Sequence, residues 1–142
     1  MKTSARNQFP GTVAAIQPGS VNDEIELEVA AGQRIVATVT RESRSALGLA
    51  VGTRAIALIK ASSIVLVSDV GSYKFSARNQ LAGDVTKVVR GSVNSEVTVA
   101  TASGLTVVAM VTNESAQGLS LREGSSVIAL FKAPSVILAV AA

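Results

Sequence analysis

The chain has no histidine, no cysteine and no tryptophan, and its aromatic residues are confined to Phe9, Tyr73, Phe75 and Phe131. Without cysteine there is no disulfide framework and no thiolate metal site. Without histidine or cysteine the commonest nucleophile–base pairs and catalytic zinc sites are missing. Glu42 and Glu114 each sit near an expected helix start, where a carboxylate serves the helix dipole more simply than it serves catalysis. An enzyme is therefore not expected, and no catalytic cofactor is implied. The scattered aromatics leave no platform on which a nucleic-acid binder could stack successive bases. Long apolar runs are also absent. Ala55 to Ile59 and Val136 to Ala142 fall well short of the ~18 residues a spanning helix needs. Met1 to Asn7 lacks the apolar core of a signal peptide. A cytoplasmic chain with no membrane partner is the expectation.

Charge is sparse as well. Only 16% of the 142 residues are charged, against 48% hydrophobic, which is apolar for so small a protein. Large interfaces between copies, hence a homo-oligomer, are the simplest way to cover that surface. The net charge of +3 is scattered, which suits small anions better than nucleic acid.

What the chain does have is a repeat. Ser4-Ala5-Arg6-Asn7-Gln8 returns as Ser76-Ala77-Arg78-Asn79-Gln80, and Gly19-Ser20-Val21-Asn22 returns as Gly91-Ser92-Val93-Asn94 at the same offset. Nearly half of positions 4–68 are identical to their partners in 76–140, without a gap. The expected division is a first domain over 1–68, a linker over 69–75 and a second domain over 76–142. A module of this size is marginal alone, because it buries only about 60% of its unfolded surface.

Each repeat reads as a small barrel. Ile25, Leu27 and Val29 alternate with Glu24, Glu26 and Glu28, the period of a half-buried strand. Ile35, Ala37 and Val39 do the same. Ala5 to Ile16 reads as a first strand, with Gly11 and Gly83 marking a bulge or bend. Ala55 to Lys60 and Ile64 to Val67 read as two strands joined by a turn at Ala61-Ser62-Ser63. A helix beginning at Thr40, a good N-cap, runs to Leu47, and Thr112 to Leu119 copies it. The fold expected is all-β: two tandem OB-like five-stranded barrels, each with one short helix between strands 3 and 4.

The repeats also keep polar residues that folding alone does not require. Ser4, Arg6, Asn7, Gln8, Ser20, Asn22, Thr40, Ser43 and Lys60 persist, while Asp23, Arg41 and Arg44 change to Ser95, Asn113 and Ala116, as drifting surface positions do. Ser4 and Arg6, two apart on the expected strand, share a face. Thr40 and Ser43, three apart at the helix start, do too, beside backbone N–H groups that suit an oxyanion. Lys60 adds a point charge, and Ser76, Arg78, Thr112, Ser115 and Lys132 repeat the set. All are donors. A tetrahedral dianion offers only acceptors, so sulfate-like or molybdate-like ions fit better than phosphate, which carries a proton part of the time. Charge-assisted bonds of this kind are about twice as strong as neutral ones.

The Ser-Ala-Arg-Asn-Gln opening, the Gly-Ser-Val-Asn turn, the Val-Thr-x-Glu-Ser helix start and the Lys-Ala pair resemble the Mop domain of molybdate-binding proteins, and both repeats carry all four. The tandem resembles a di-Mop molbindin. The resemblance implies molybdate or tungstate as ligand, the metal bound only as its oxyanion, and a trimer of tandem chains. It implies binding between domains, with Ser4, Ala5 and Arg6 of one facing Thr40, Ser43, Lys60 and Ala61 of another. In the second repeat these roles fall to Ser76, Ala77, Arg78, Thr112, Ser115, Lys132 and Ala133. A second class of site, nearer the symmetry axis, is expected at Ser20, Val21 and Asn22 and at Ser92, Val93 and Asn94. Intracellular molybdenum storage is the implied role, since no helix-turn-helix, transport or ATP-binding segment remains. The alternative, from another class, is an OB-fold nucleic-acid-binding module.

Overall fold

The computed structural model describes residues 1–30 and 32–142. In chain order the elements are β1 (Asn7–Gln17), β2 (Asn22–Ala30), β3 (Gln33–Thr40), α1 (Arg41–Leu47), β4 (Arg54–Ile59), β5 (Val65–Val67), β6 (Asn79–Arg90), β7 (Asn94–Thr101), β8 (Thr106–Thr112), α2 (Asn113–Gly118), β9 (Ser126–Phe131) and β10 (Ile137–Ala139). Single 3-10 turns at Ala61–Ser63 and Ala133–Ser135 precede β5 and β10. The strands form two curled antiparallel sheets of five, ordered β10-β4-β1-β2-β3 and β5-β9-β6-β7-β8. The all-β, OB-like reading holds, helix position included.

Alternation builds each core. In β2, Asp23, Ile25 and Leu27 point inward while the neighbouring glutamates stay outside. Val13, Ile35, Ala37, Ala57 and Ile59 complete the first interior; Val85, Val97, Val99, Val107, Ala109, Ala129 and Phe131 complete the second. Burial of such side chains contributes roughly 1.5–3 kcal/mol for each large one.

The compact units do not follow the repeat boundaries. One unit comprises Met1–Ile59 with Lys132–Ala142, the other Lys60–Phe131. The fifth strand of each repeat completes the other repeat's sheet: β10 pairs with β4, and β5 with β9. The expected neighbours β4 and β5 therefore lie in different sheets. The physical reason is that β5 and β10 present the same exposed, buried, half-buried pattern. Either strand satisfies either ladder, so local sequence cannot choose between them.

Two further details correct the sequence reading. The first strand begins at Asn7, so Ser4 and Arg6 precede it and the two-residue strand period does not orient them. The bulge falls between Val13 and Ala15, and between Val85 and Lys87, not at Gly11 and Gly83. Those glycines answer a different demand. A Cβ on either would lie 2.3 Å from the carbonyl oxygen of Glu28 or Ala100 on the neighbouring strand. We expect Gly83→Ala to lower stability by about 2–3 kcal/mol, as overpacking against backbone does. Gly118→Ala, where no atom lies within 4 Å, should be neutral or stabilising. Urea unfolding of the two variants checks the contrast.

Candidate functional site

The kept polar residues are gathered by the ladders. Asn22 stands directly opposite Thr40 in the β2–β3 pairing, and Asn94 opposite Thr112 in β7–β8. The backbone N–H of Arg41 donates to the Val21 carbonyl at 3.0 Å, and that of Asn113 to Val93 at 2.8 Å. The Gly-Ser-Val-Asn turn and the helix start are thus one contiguous region in each unit. The turn glycines are required by closeness, since a Cβ on Gly19 would meet the Asn22 carbonyl at 2.1 Å and one on Gly91 would meet Asn94 at 2.7 Å.

Thr40 and Ser43 do more than cap. The Thr40 hydroxyl oxygen accepts the Ser43 N–H at 3.0 Å, and the same hydroxyl donates to Ser43 Oγ at 2.8 Å. Thr112 and Ser115 reproduce both bonds. The Ser43 hydroxyl, already accepting, has its own proton to give outward, a polarised donor chain. The helix dipole carries less than expected: α1 has 7 residues, and the amides of Ser43 and Arg41 are already bonded within the protein.

Ser4, Arg6, Ser76 and Arg78 lie in the segments just ahead of β1 and β6 and are exposed. Their neighbours hold these segments in place. Gln8 Nε2 donates to the Ala5 carbonyl at 3.2 Å, and Gln80 Nε2 to Ala77 at 2.9 Å. Asn7 and Asn79 are buried, 1% and 2% exposed, and Asn7 Nδ2 donates to the Ile59 carbonyl at 3.2 Å. The kept Asn and Gln are thereby explained as supports of the segments carrying Ser4–Arg6 and Ser76–Arg78.

The lysines are redistributed by the strand exchange. Lys60 flanks the 3-10 turn that packs on β8, the strand ending at Thr112; Lys132 flanks the turn that packs on β3, the strand ending at Thr40. Lys60 is therefore in one unit with Thr112 and Ser115, and Lys132 with Thr40 and Ser43. Ala61 and Ala133 are buried beside them, and neither 3-10 turn has a side-chain cap. Pro134, which replaces Ser62, has no N–H, so the turn after Lys132 offers one amide fewer.

Ser4, Arg6, Thr40, Ser43, Lys60 and their counterparts are exposed, as are Ser20, Val21, Asn22, Ser92, Val93 and Asn94. None of them lines either of two apolar grooves of about 640 Å³, which lie around Gly11 and Gly83. Among the described residues no group of acidic side chains is arranged to hold a metal ion, and no helix is long and apolar enough to cross a membrane.

Sequence reasoning missed one network. Asp23, taken as surface drift, is 1% exposed. Its Oδ1 accepts the Gly19 N–H at 2.9 Å and its Oδ2 accepts from Arg44 Nη1 at 3.2 Å. The signal was present, since Asp23 shares the parity of Ile25 and Leu27. The Gly19 amide holds its carboxyl below the ordinary carboxylate range against the opposing effect of burial, with Arg44 and then Arg41 adding to it. A lowered pKa means that the stabilisation is complete above the ordinary value, about 3.9, and is lost as pH falls through the folded-state value. Wild type should exceed Asp23→Asn in stability at neutral pH, and the gap should close below about pH 4. Urea midpoints measured across that range check the sign.

Comparison with known proteins follows the same outline. The TOBE domain model matches residues 3–66 and again 76–138. The chain is 45% identical over 140 residues to the molybdenum transport protein ModE of Herbaspirillum seropedicae, covering 99% of this chain and 52% of that protein. It is 39% identical over 139 residues to the molybdenum-pterin-binding protein MopA of Rhodobacter capsulatus, covering 98% of this chain and 52% of that one. The chain thus spans about half the length of the curated relatives it matches. Among solved structures, the cytoplasmic molybdate-binding protein ModG, crystallised with molybdate bound, superposes with a TM-score of 0.95 at 43% identity, over 99% of this chain and 100% of that one. Two tandem copies of one domain account for nearly all of these residues, and the chain belongs to the TOBE-domain family.

Proposed function

We propose that the chain binds molybdate or tungstate as the intact oxyanion and serves molybdenum storage and homeostasis inside the cell. The observation that carries this reading is the outward-directed hydroxyl of Ser43, and of Ser115, backed by a threonine donor. It belongs with kept asparagine and lysine donors, and the kept carboxylate next to it in sequence, Glu42 or Glu114, lies in the first turn of the helix and serves its dipole. An ion that only accepts hydrogen bonds satisfies such a set, and each charged bond contributes about 1.5–3 kcal/mol. Similarity to ModG, whose crystals hold molybdate, supports the choice of ion.

The site groups are exposed, so an anion held by one barrel alone would keep much of its hydration. We infer that a neighbouring chain covers it, in a homo-oligomer that we take to be a trimer. Exposed apolar residues recur at matched places: Val21 and Val93 on the turns, 70% and 67% exposed, and Val65 and Ile137 on the edge strands, both 59%. Surfaces of this kind suit association. The nucleic-acid alternative loses ground, because Phe9 and Phe131 are core residues, unable to stack on bases.

The test is calorimetric titration with molybdate, tungstate and sulfate. Wild type should bind the first two. Arg6→Ala and Lys60→Ala should each weaken binding about tenfold or more while the melting temperature holds. Wild-type affinity in both variants would discard the assignment of these residues.

A further inference from the structure

The two apolar grooves play no part in the oxyanion reading, and both arise from one feature of the ladders. β10 has 3 residues and β4 has 6. Their pairing ends with Ala139 opposite Ile56, so Arg54 and Ala55 lie beyond it. The space left over is lined by Pro10, Gly11, Ile56 and Val140 as well. In the second unit the pairing of β5 with β9 ends with Val67 opposite Ile128, and Ser126 and Val127 lie beyond it. Each groove holds about 640 Å³, within the range of small-molecule sites, which are mostly apolar with a few polar groups that set orientation.

Those polar groups differ in sign between the units, through one cross-strand pair. It is Thr12 opposite Arg54 in the first unit and Asp84 opposite Ser126 in the second. Arg54 lies on the first groove, exposed, and among the described residues it makes no hydrogen bond or ion pair. In the second groove Asp84 accepts from Ser126 Oγ at 3.1 Å, and Asp69 adds another carboxylate. Other charges leave this contrast standing. Glu28 flanks Thr12 on the side away from Arg54, two strands and roughly 10 Å from it, and stands opposite Arg34. Met1 and Ala142 also line the first groove, and their amine and carboxylate bring one charge of each sign.

We propose that the groove of the first unit binds a small organic anion with an apolar body, an aliphatic or aromatic carboxylate, and that the groove of the second unit rejects it. The body of such a ligand buries against Pro10, Ile56, Ala139 and Val140. Its carboxylate meets the Arg54 guanidinium, whose planar fork suits that group. Asp84 and Asp69 repel the same ligand from the second groove. Molybdate has no apolar body to bury, so this site is independent of the oxyanion sites.

Fluorescence titration with 1-anilinonaphthalene-8-sulfonate, an apolar body carrying one anionic group, tests this. Wild type should bind one dye per chain and release it to decanoate or 2-naphthoate, whichever body fits, but not to decyltrimethylammonium, whose charge is wrong. Arg54→Ser should weaken binding about three- to fivefold, as loss of an exposed ion pair does. Thr12→Asp with Arg54→Ser, the pair found in the second unit, should weaken it about tenfold or more by adding repulsion. The reverse graft, Asp84→Thr and Ser126→Arg with Asp69→Asn, should raise the count to two per chain. Each cross-strand pair already occurs at the matching place of this chain, which favours folding, and a thermal melt reports it; should one graft fail to fold, the other decides. No dye binding by wild type, displacement by decyltrimethylammonium as readily as by the carboxylates, or dye affinity and count unchanged in the folded grafts would overturn the inference. Molybdate titration is unaffected in each of these outcomes, so the oxyanion reading stands or falls separately.

Discussion

The pairing of β10 with β4, matched by β5 with β9, is the constraint on which the rest of the molecule depends. Neither five-stranded sheet is complete without a strand from the other repeat. A module that would be marginal by itself cannot finish its edge alone. The exchange also moves chemistry, because each of the travelling strands follows a lysine. Lys132 comes to the unit of Thr40 and Ser43, and Lys60 to that of Thr112 and Ser115. Grouping residues by sequence repeat therefore separates each lysine from the helix start that shares its compact unit.

The kept polar residues separate into those that face outward and those that hold them. Gln8 and Gln80 bond the carbonyls of Ala5 and Ala77, steadying the segments that carry Arg6 and Arg78. Asn7 is buried against the end of β4. Thr40 and Thr112 cap their helices and at the same time polarise Ser43 and Ser115. What remains exposed is donor-rich and lies on open surface, away from the apolar grooves. That combination suits a small hydrated anion that becomes enclosed only when a second surface arrives. It explains why a chain with so little charge keeps these cations in both repeats.

Much of this was legible in the residues. The alternation of Ile25 and Leu27 with glutamates places β2, and Thr40 announces the helix at its first residue. The strand exchange was not legible, because Val65–Val67 and Ile137–Ala139 have interchangeable patterns and the choice is made by the chain's path. Ser4 and Arg6 were misplaced onto a strand, since the ladder starts only where Asn7 meets Ile59, a long-range pairing that local sequence does not show. Asp23 was misjudged for a different reason. An aspartate beside Glu24, Glu26 and Glu28 resembles part of an exposed acidic face, although its parity points inward.

The central claim is that an acceptor-only ion sits against the kept hydroxyl, amide and cationic groups. Anomalous diffraction from crystals grown with tungstate addresses it directly, because the tungsten scatters strongly and identifies itself. The account predicts peaks within hydrogen-bond reach of Ser43 and Ser115 or of the Ser20–Asn22 and Ser92–Asn94 turns. Crystals whose only tungsten peaks lie in the apolar grooves around Gly11 and Gly83, or which show none at all, would contradict it.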